Sequence, residues 1–382
     1  MERYIVSIVI PTKNRQKYCI AAIKQILSLG MKGVEICVQD NSDYNHLQAD
    51  IDALNCKSIR YNYHSGVLSF VDNFSQAISL CKGEYVCMIG DDDGILPNII
   101  DVAKDAEEHS IDAVIPGLNS VYFWPTEHPI IKGGENGYLS LSYIKKGYKE
   151  VDTKIALEKL LKNGGLNYTS FDLPRVYHGL IKRNKFDDII KKTGKCFDGL
   201  TPDIYMAVAL SFVCNRTIRF NFPITISGIC PTSGSSDSAT GKHTGLLRDA
   251  PHFKGHDSYN WDVRIPAFYS VETIWAETLL HAIHNFDSDY LIEKFRFDLL
   301  EKQCLKKYPQ FKDQILLHAM THNLKLPTMR YGHLLQEYNN FIKRVIRRLL
   351  HRKGLLLKYY DVQDIVKAAE ITVNEMNKVM NK

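Results

Sequence analysis

The sequence predicts an α/β protein, a mostly parallel sheet with helices on both faces, followed by an α-helical C-terminal region. Three observations carry that expectation. Short β-branched apolar runs recur through the first 116 residues. Stretches of helical periodicity, about 10 to 15 residues each, separate them. Beyond Pro266 only the helical pattern continues.

Taken in order, residues 4–10 form a β-branched run of strand length that Pro11 ends. Residues 15–29 place Ile20, Ile23, Ile26 and Leu27 at helical spacing and stop at Gly30. Segments 34–38 and 59–63 are the second and third strands. Phe70, Phe74, Ala77, Ile78 and Cys81 give a helical face that ends at Gly83. Segment 85–89 is the fourth strand, a helix follows Pro97, and 113–115 is the fifth strand. Strands that are apolar throughout belong in a sheet covered on both faces. Ligands of such sheets bind off the carboxyl ends of the strands.

From 117 to 175 the pattern weakens to loops with one helix near 153–162. A strand over 177–182 and a helix over 202–212 follow. Residues 227–245 contain twelve Gly, Ser or Thr out of nineteen, so they read as a mobile loop. Apolar stripes at 270–285, 289–306, 333–350 and 362–380 predict helices to the end. The chain thus divides into a ligand-binding domain over 1–250 and a helical region over 251–382.

Composition narrows the class. With 382 residues, 45% apolar and 24% charged, the chain supports a large core and is not a disordered protein. No apolar run approaches the length of a membrane-spanning helix, and the N-terminus does not read as a signal peptide. Nine cysteines without a C-x-x-C pair read as reduced thiols of a cytoplasmic protein. The net charge of +5 is local: residues 341–360 hold seven Lys or Arg and no acid, leaving −2 for the rest.

Three polar clusters follow three strands. They are Pro11-Thr12-Lys13-Asn14-Arg15, Asp40-Asn41-Ser42 and Gly90-Asp91-Asp92-Asp93-Gly94. Adjacent carboxylates repel one another and need a compensating cation. Hard oxygen donors of this kind suit Mg²⁺ or Mn²⁺, which share their shell with water and substrate phosphates. An acidic turn favouring the dipole of the next helix is the structural alternative.

The segments Val6-Ser-Ile-Val-Ile-Pro-Thr-Lys-Asn-Arg15, Val38-Gln-Asp-Asn-Ser42 and Gly83-Glu-Tyr-Val-Cys-Met-Ile-Gly-Asp-Asp-Asp93 with Leu96-Pro97 together resemble a family-2 glycosyltransferase of the GT-A fold. The resemblance covers about residues 4–116. It implies inverting transfer of a sugar from a nucleotide donor, a UDP-sugar first among them, to an acceptor hydroxyl with Mg²⁺ or Mn²⁺. It further implies that Pro11, Thr12, Asn14 and Arg15 cradle the nucleotide, beside Asn41, and that Asp40 meets the base. The acid triplet matches the family's D-x-D signature: counting back from Pro97 implies Asp92 on the metal and Asp91 next to the ribose with Asp93 close by, whereas a literal D-x-D selects Asp91 and Asp93. Lys13 stands where many members have an aromatic, and Gly90 where many have the first aspartate.

A general base completes such a displacement. The family supplies an acid at a helix start in the second half of the domain, and Asp203 after Pro202 holds that place, with Asp198 its nearest competitor. Within the loop, Lys242 and His243 suit a lid over a diphosphate, and His243 is a further candidate metal ligand. His256, Tyr259 and Trp261 are candidates for an acceptor platform. Residues 341–352 alternate two apolar and two polar residues, which on a helix sets Phe341, Ile342, Val345, Ile346, Leu349 and Leu350 opposite the basic side chains. Such a segment suits an anionic membrane surface or a packed helix with a solvated basic face, and no motif points to nucleic acid.

The combined expectation is a cytoplasmic glycosyltransferase, peripheral at the inner face of the membrane, acting on a saccharide or lipid-linked acceptor of surface polysaccharide or glycolipid synthesis. A nucleotidyltransferase of similar fold and a non-catalytic sugar-nucleotide-binding scaffold are the alternatives.

Overall fold

The computed structural model describes residues 3–233, 243–256, 259–325 and 356–380. Strands and helices alternate first as β1 (Val6–Thr12), α1 (Gln16–Ser28), β2 (Val34–Asp40), α2 (Leu47–Ala53), β3 (Ile59–Tyr63) and α3 (Phe70–Ser79). Next come β4 (Tyr85–Met88), the short β5 (Gly94–Ile95), α4 (Ile99–Glu108) and β6 (Ala113–Ile115). The middle of the chain forms β7 (Ser120–Phe123), β8 (Tyr138–Ser142), β9 (Lys145–Glu150), α5 (Thr153–Lys162), β10 (Leu180–Lys182), α6 (Asn184–Thr193), α7 (Pro202–Val213), β11 (Thr217–Asn221) and β12 (Thr225–Ile229). The remainder gives β13 (Thr244–Leu246), β14 (Phe268–Ser270), α8 (Val271–Asn285), α9 (Phe297–Lys307), α10 (Lys312–Thr321), β15 (Leu356–Tyr360) and α11 (Ile365–Met380).

Eight strands form the main sheet in the order β3-β2-β1-β4-β10-β6-β11-β9. β1 pairs parallel with β2 and β4, β2 with β3, and β6 with β11. Only β10 and β9 run against the others. This is the mostly parallel α/β architecture expected from the alternating pattern. Period-two geometry sends the side chains of β1 to both faces. Val6, Ile8 and Ile10 join a core with Ile23, Ile99 and Ala103, while Val9 joins Phe74, Leu157, Tyr205 and Leu279 on the other side.

A second sheet, β15-β8-β7-β12-β5, lies beside the first. The strands at 120–123, 138–142 and 145–150 stand where the sequence reads as loops. β9, Lys-Lys-Gly-Tyr-Lys-Glu, is exposed along its whole length, because it is an edge strand guarded by charge rather than by an apolar face. β12 and β13 occupy the two ends of the segment expected to be a mobile loop, and β14 and β15 interrupt the helical C-terminal pattern. The centre of that loop, the helix expected over 333–350 and the basic segment 341–352 lie outside the described residues. Among the described residues, no helix is long and apolar enough to cross a membrane.

Helix ends follow local chemistry. The Ser69 hydroxyl caps α3 at the Asp72 amide, Asp152 caps α5 at Lys154 and Ile155, and Ser270 with Thr273 forms a capping box on α8. α7 begins with Pro202 and is buried nearly all round, lying between the sheet and α8. An all-apolar helix belongs in such a place.

One buried carboxylate holds the strands that lead to the site. Glu35 in β2 is wholly buried and accepts from Ser7 Oγ (2.6 Å), Lys82 N (2.5 Å), Gly83 N (3.0 Å) and Arg60 Nε (2.6 Å). Gly83 approaches so closely that a Cβ there would lie 2.6 Å from the Ser7 nitrogen. Glu35→Ala leaves these donors unpaired and is expected to lower the unfolding free energy by about 3–5 kcal/mol in urea denaturation. A loss under about 1 kcal/mol would remove this role from Glu35.

Candidate active site

The carboxyl ends of β1, β2 and β4 meet at one edge of the main sheet. The Asn41 amide donates to the Thr12 carbonyl (3.0 Å), which joins the loops after β1 and β2. Asn14 takes the left-handed conformation (φ 57°), its amide donates to Ser42 Oγ, and its side chain exchanges hydrogen bonds with Asp43. Asn41 donates to the carbonyls of His64 and Gly66 and accepts from Lys13 Nζ. The Asp40 carboxylate accepts from the Ser42 amide (2.8 Å) and the Tyr61 hydroxyl (2.9 Å) and is wholly buried. Asp40 therefore shapes its loop from inside. Pro11 and Thr12 are buried as well, so Lys13, Asn14 and half-buried Arg15 are the exposed parts of this rim.

Behind the rim, the loop after β4 carries the acid triplet. Thr12 Oγ1 donates to Asp91 Oδ2 at 2.6 Å. Arg15 grips the same carboxylate through Nε (3.1 Å) and Nη2 (2.6 Å). Asp93 accepts the amides of Gly90 and Gly228, each at 2.6 Å. Asp92 accepts from the Cys230 amide (3.0 Å), and its carbonyl accepts from Trp124 Nε1 (2.8 Å). β12 passes so close that a Cβ on Gly228 would lie 1.8 Å from the Asp92 carbonyl oxygen. Only glycine fits there.

Electrostatics follow from this burial. Loss of water pushes Asp91 up to about 7, against the pull of Arg15. Burial and then the charge of Asp92 drive Asp93 well above the usual carboxylate range. His178 sits between Asp93 Oδ2 (3.4 Å from Nε2) and Thr225 Oγ1 (2.9 Å from Nδ1), and burial holds it down to about 3, so its ring is neutral. Arg15 then supplies the positive charge that meets Asp91 and Asp92 directly. The remaining oxygen of Asp92, Oδ1, has Arg15 Nη1 at 3.8 Å and belongs to a residue that lines the cavity. This donor set fits a hard divalent cation shared with diphosphate oxygens and water. Asp93 has spent both oxygens on backbone amides and adjoins the cation site rather than offering a free ligand atom. Among the described residues, no three His, Cys, Asp or Glu side chains converge to hold an ion unaided.

The acids open onto a cavity of about 390 Å³. Arg15, Asp92, Asp93, Asp203 and His243 all line it, so these candidates meet there from four separate segments. Asp203 stands in the first turn of α7, where Tyr168 donates to its Oδ2 at 3.1 Å. Burial raises its pKa above the ordinary carboxylate value despite nearby amide donors. His243 packs against the rings of His252 and Tyr269 on the same cavity. Asp198 lies elsewhere: it pairs with His281 (3.2 Å) and Lys195 (3.3 Å), and despite burial the His281 hydrogen bond holds it below the usual range. Tyr259 and Trp261 pack with Phe253 in a small core, and Trp261 donates its Nε1 to the Ile265 carbonyl.

Several cavity residues were not singled out from the sequence. Tyr168, Arg175, Tyr177 and His178 come from the stretch before β10, and Ile274 and Trp275 from α8. Their only advance signal is the run Arg175-Val-Tyr-His178 after Pro174, dense in polar and aromatic residues yet free of periodicity. His178 has φ 60°, a conformation that non-glycine residues adopt rarely and mostly where surroundings enforce it.

Residues 7–135 match the model of glycosyl transferase family 2. The chain is 35% identical over 100 residues to the protein named as the colanic acid biosynthesis glycosyl transferase WcaA of Escherichia coli (strain K12), a match covering 26% of this chain and 36% of that one. It is 23% identical over 199 residues to glycosyltransferase GlyG of Streptococcus pneumoniae serotype 4, covering 51% of this chain and 62% of the relative. Each match therefore spans less than two thirds of the relative's length. Among solved structures, S. aureus TarS 1–349 in complex with UDP-GlcNAc aligns over 98% of this chain and 92% of that one, at 14% identity and a TM-score of 0.47. The stretch from β1 through the acid loop to residue 135 is thus the part of the chain that is similar to glycosyl transferase family 2.

Proposed function

We propose that the protein is an inverting glycosyltransferase that moves a sugar from a nucleotide-sugar donor, a UDP-sugar first among them, to an acceptor hydroxyl. One observation carries this reading: the acid loop after β4 and the buried carboxylate of Asp203 face the same cavity. In the reaction, ionised Asp203 accepts the proton of the acceptor hydroxyl. The freed oxygen attacks the anomeric carbon from the side opposite the diphosphate. One bond forms as the carbon–phosphate-oxygen bond breaks, which inverts the configuration. Tyr168 orients the base through its hydroxyl, and Arg15 holds Asp91 so that the loop keeps its shape. Asp92, with Asp93 adjoining, would hold Mg²⁺ or Mn²⁺ together with the donor, and the cation would supply positive charge to the leaving diphosphate.

The loops of Pro11, Thr12, Asn14, Arg15, Asp40 and Asn41 frame the nucleotide side. We assign residues 1–250 to the donor and the transfer chemistry, and to the region 251–382, through its cavity-lining part, a share of the acceptor side. Support for the second assignment is that His252, Tyr269, Ile274 and Trp275 line the same cavity as the acid loop. The relative named for colanic acid biosynthesis supports a surface polysaccharide as the product.

Incubation with a panel of sugar nucleotides and Mn²⁺ is expected to release a nucleoside diphosphate, and chelation by EDTA to stop the release. Asp92→Asn and Asp203→Ala are each expected to lower kcat/KM by about 10²–10⁴-fold, the usual contribution of a positioned acid or base. Full turnover in both variants would overturn the site, and release of pyrophosphate would replace transfer by nucleotidyl chemistry. The pH profile gives a separate check. Burial favours the neutral form of Asp203 and catalysis needs the carboxylate, so activity falls as pH drops through a value above the ordinary carboxylate range. That acid limb disappears from the residual activity of Asp203→Asn.

A further inference from the structure

The cavity contains a positive charge that the proposed transfer does not use. Arg175 lines it and is 5% exposed. Its Nη1 and Nη2 reach only the carbonyls of Thr169 and Pro116, each at 3.5 Å, the outer limit of a hydrogen bond. Nε has no partner among the described residues. Nearby Asp172 is committed to Lys149 (2.6 Å) and to Arg219. A guanidinium has five donors in a planar fork that matches carboxylate and phosphate. Buried without such a partner, it is an ion awaiting its counter-ion.

Arg15 offers the contrast. It lines the same cavity, but Asp91 engages it fully. The two cations also act on different groups, although the charge of Arg175 reaches His178, which contacts Asp93. Arg15 acts on Asp91 and Asp92, whereas the groups that act most strongly on Arg175 are Tyr168, Arg219 and Asp172. Thr169, whose carbonyl meets Arg175, directly follows Tyr168, whose hydroxyl holds Asp203. Arg175 thus belongs to the wall that carries the base.

We propose that Arg175 is the anion-binding residue of the acceptor subsite, receiving a phosphate or carboxylate group of the acceptor while the acceptor's hydroxyl meets Asp203. The acceptor is then an anionic saccharide, either phosphate-bearing or uronic-acid-bearing. This rests on the glycosyltransferase reading. The same chemistry has a second source, the donor's own diphosphate, and the test separates the two.

The full chain, saturated with UDP and Mn²⁺, is titrated with inorganic phosphate and with glucuronate at constant ionic strength, and the melting temperature is followed. Wild type is expected to gain stability saturably, because an anion that binds only the folded state must raise it. Arg175→Met is expected to bind the anion at least tenfold more weakly, with Arg175→Lys intermediate. Without anion, Arg175→Met should melt at or above wild type, since it removes an unpaired buried charge. A lower melting point together with unchanged anion binding would make Arg175 a structural anchor and overturn the proposal. A response seen only without UDP assigns Arg175 to the donor diphosphate and overturns it equally. If Arg175→Met does not fold, wild type and Arg175→Lys decide: no saturable response in the first, or equal affinity in both, overturns it. Failure of UDP to bind with Mn²⁺ is a different result, and it counts against the glycosyltransferase reading itself.

Discussion

Three consecutive carboxylates packed at the end of a central strand are the constraint on which the rest of this molecule depends. Buried carboxylates that close together are unstable unless hydrogen bonds and cations compensate them. The chain supplies that compensation from every side. Thr12 and Arg15 come from the end of β1, the amides of Gly90, Gly228 and Cys230 from the backbone, and the indole of Trp124 from the second sheet. What remains after this is an excess of negative charge beside a cavity. A cation-assisted reaction on a phosphorylated donor uses that excess.

The same constraint explains why the second sheet exists where it does. β12 runs against the acid loop and pairs with β5, the two residues that follow the triplet. It is held in turn by β7, which pairs with β8, and β8 pairs with β15 from the far end of the chain. α11 then seals the back, where Ile365 lies under Gly94. The end of the chain thus buttresses the loop that does the chemistry. Along the same cavity, α7 carries Asp203 at its first turn and α8 carries Ile274 and Trp275, so the proposed base also stands on a regular element.

Much of this was legible in advance. β1 through β4, with α1 and α3 between them, stand where apolar period and the breakers Pro11, Gly30 and Gly83 put them, because a buried parallel strand needs an unbroken apolar run. The rim residues and the acid triplet were legible for a related reason: they follow those strands directly, where a parallel sheet exposes its ligand crevice. The strands at 120–123, 138–142 and 145–150 were not. Two are short, and β9 is a charged edge that buries nothing. Trp124, His178 and Gly228 carry no periodic signal either, since each owes its place to a contact with the acid loop across many residues of chain.

The sequence by itself determined the sheet's parallel half, the residues at its carboxyl edge and the need of Asp91, Asp92 and Asp93 for compensation, because all of these are local in the chain. Only the tertiary structure decided how that compensation is shared. It spent the oxygens of Asp40 and Asp93 on internal hydrogen bonds, left Oδ1 of Asp92 beside the cavity, and set Asp203 and Arg175, which has no carboxylate bonded to it among the described residues, on the same cavity. The physical reason is that burial and hydrogen-bond partnership belong to pairs of residues far apart in sequence, and no spacing along the chain encodes which lone pairs remain free.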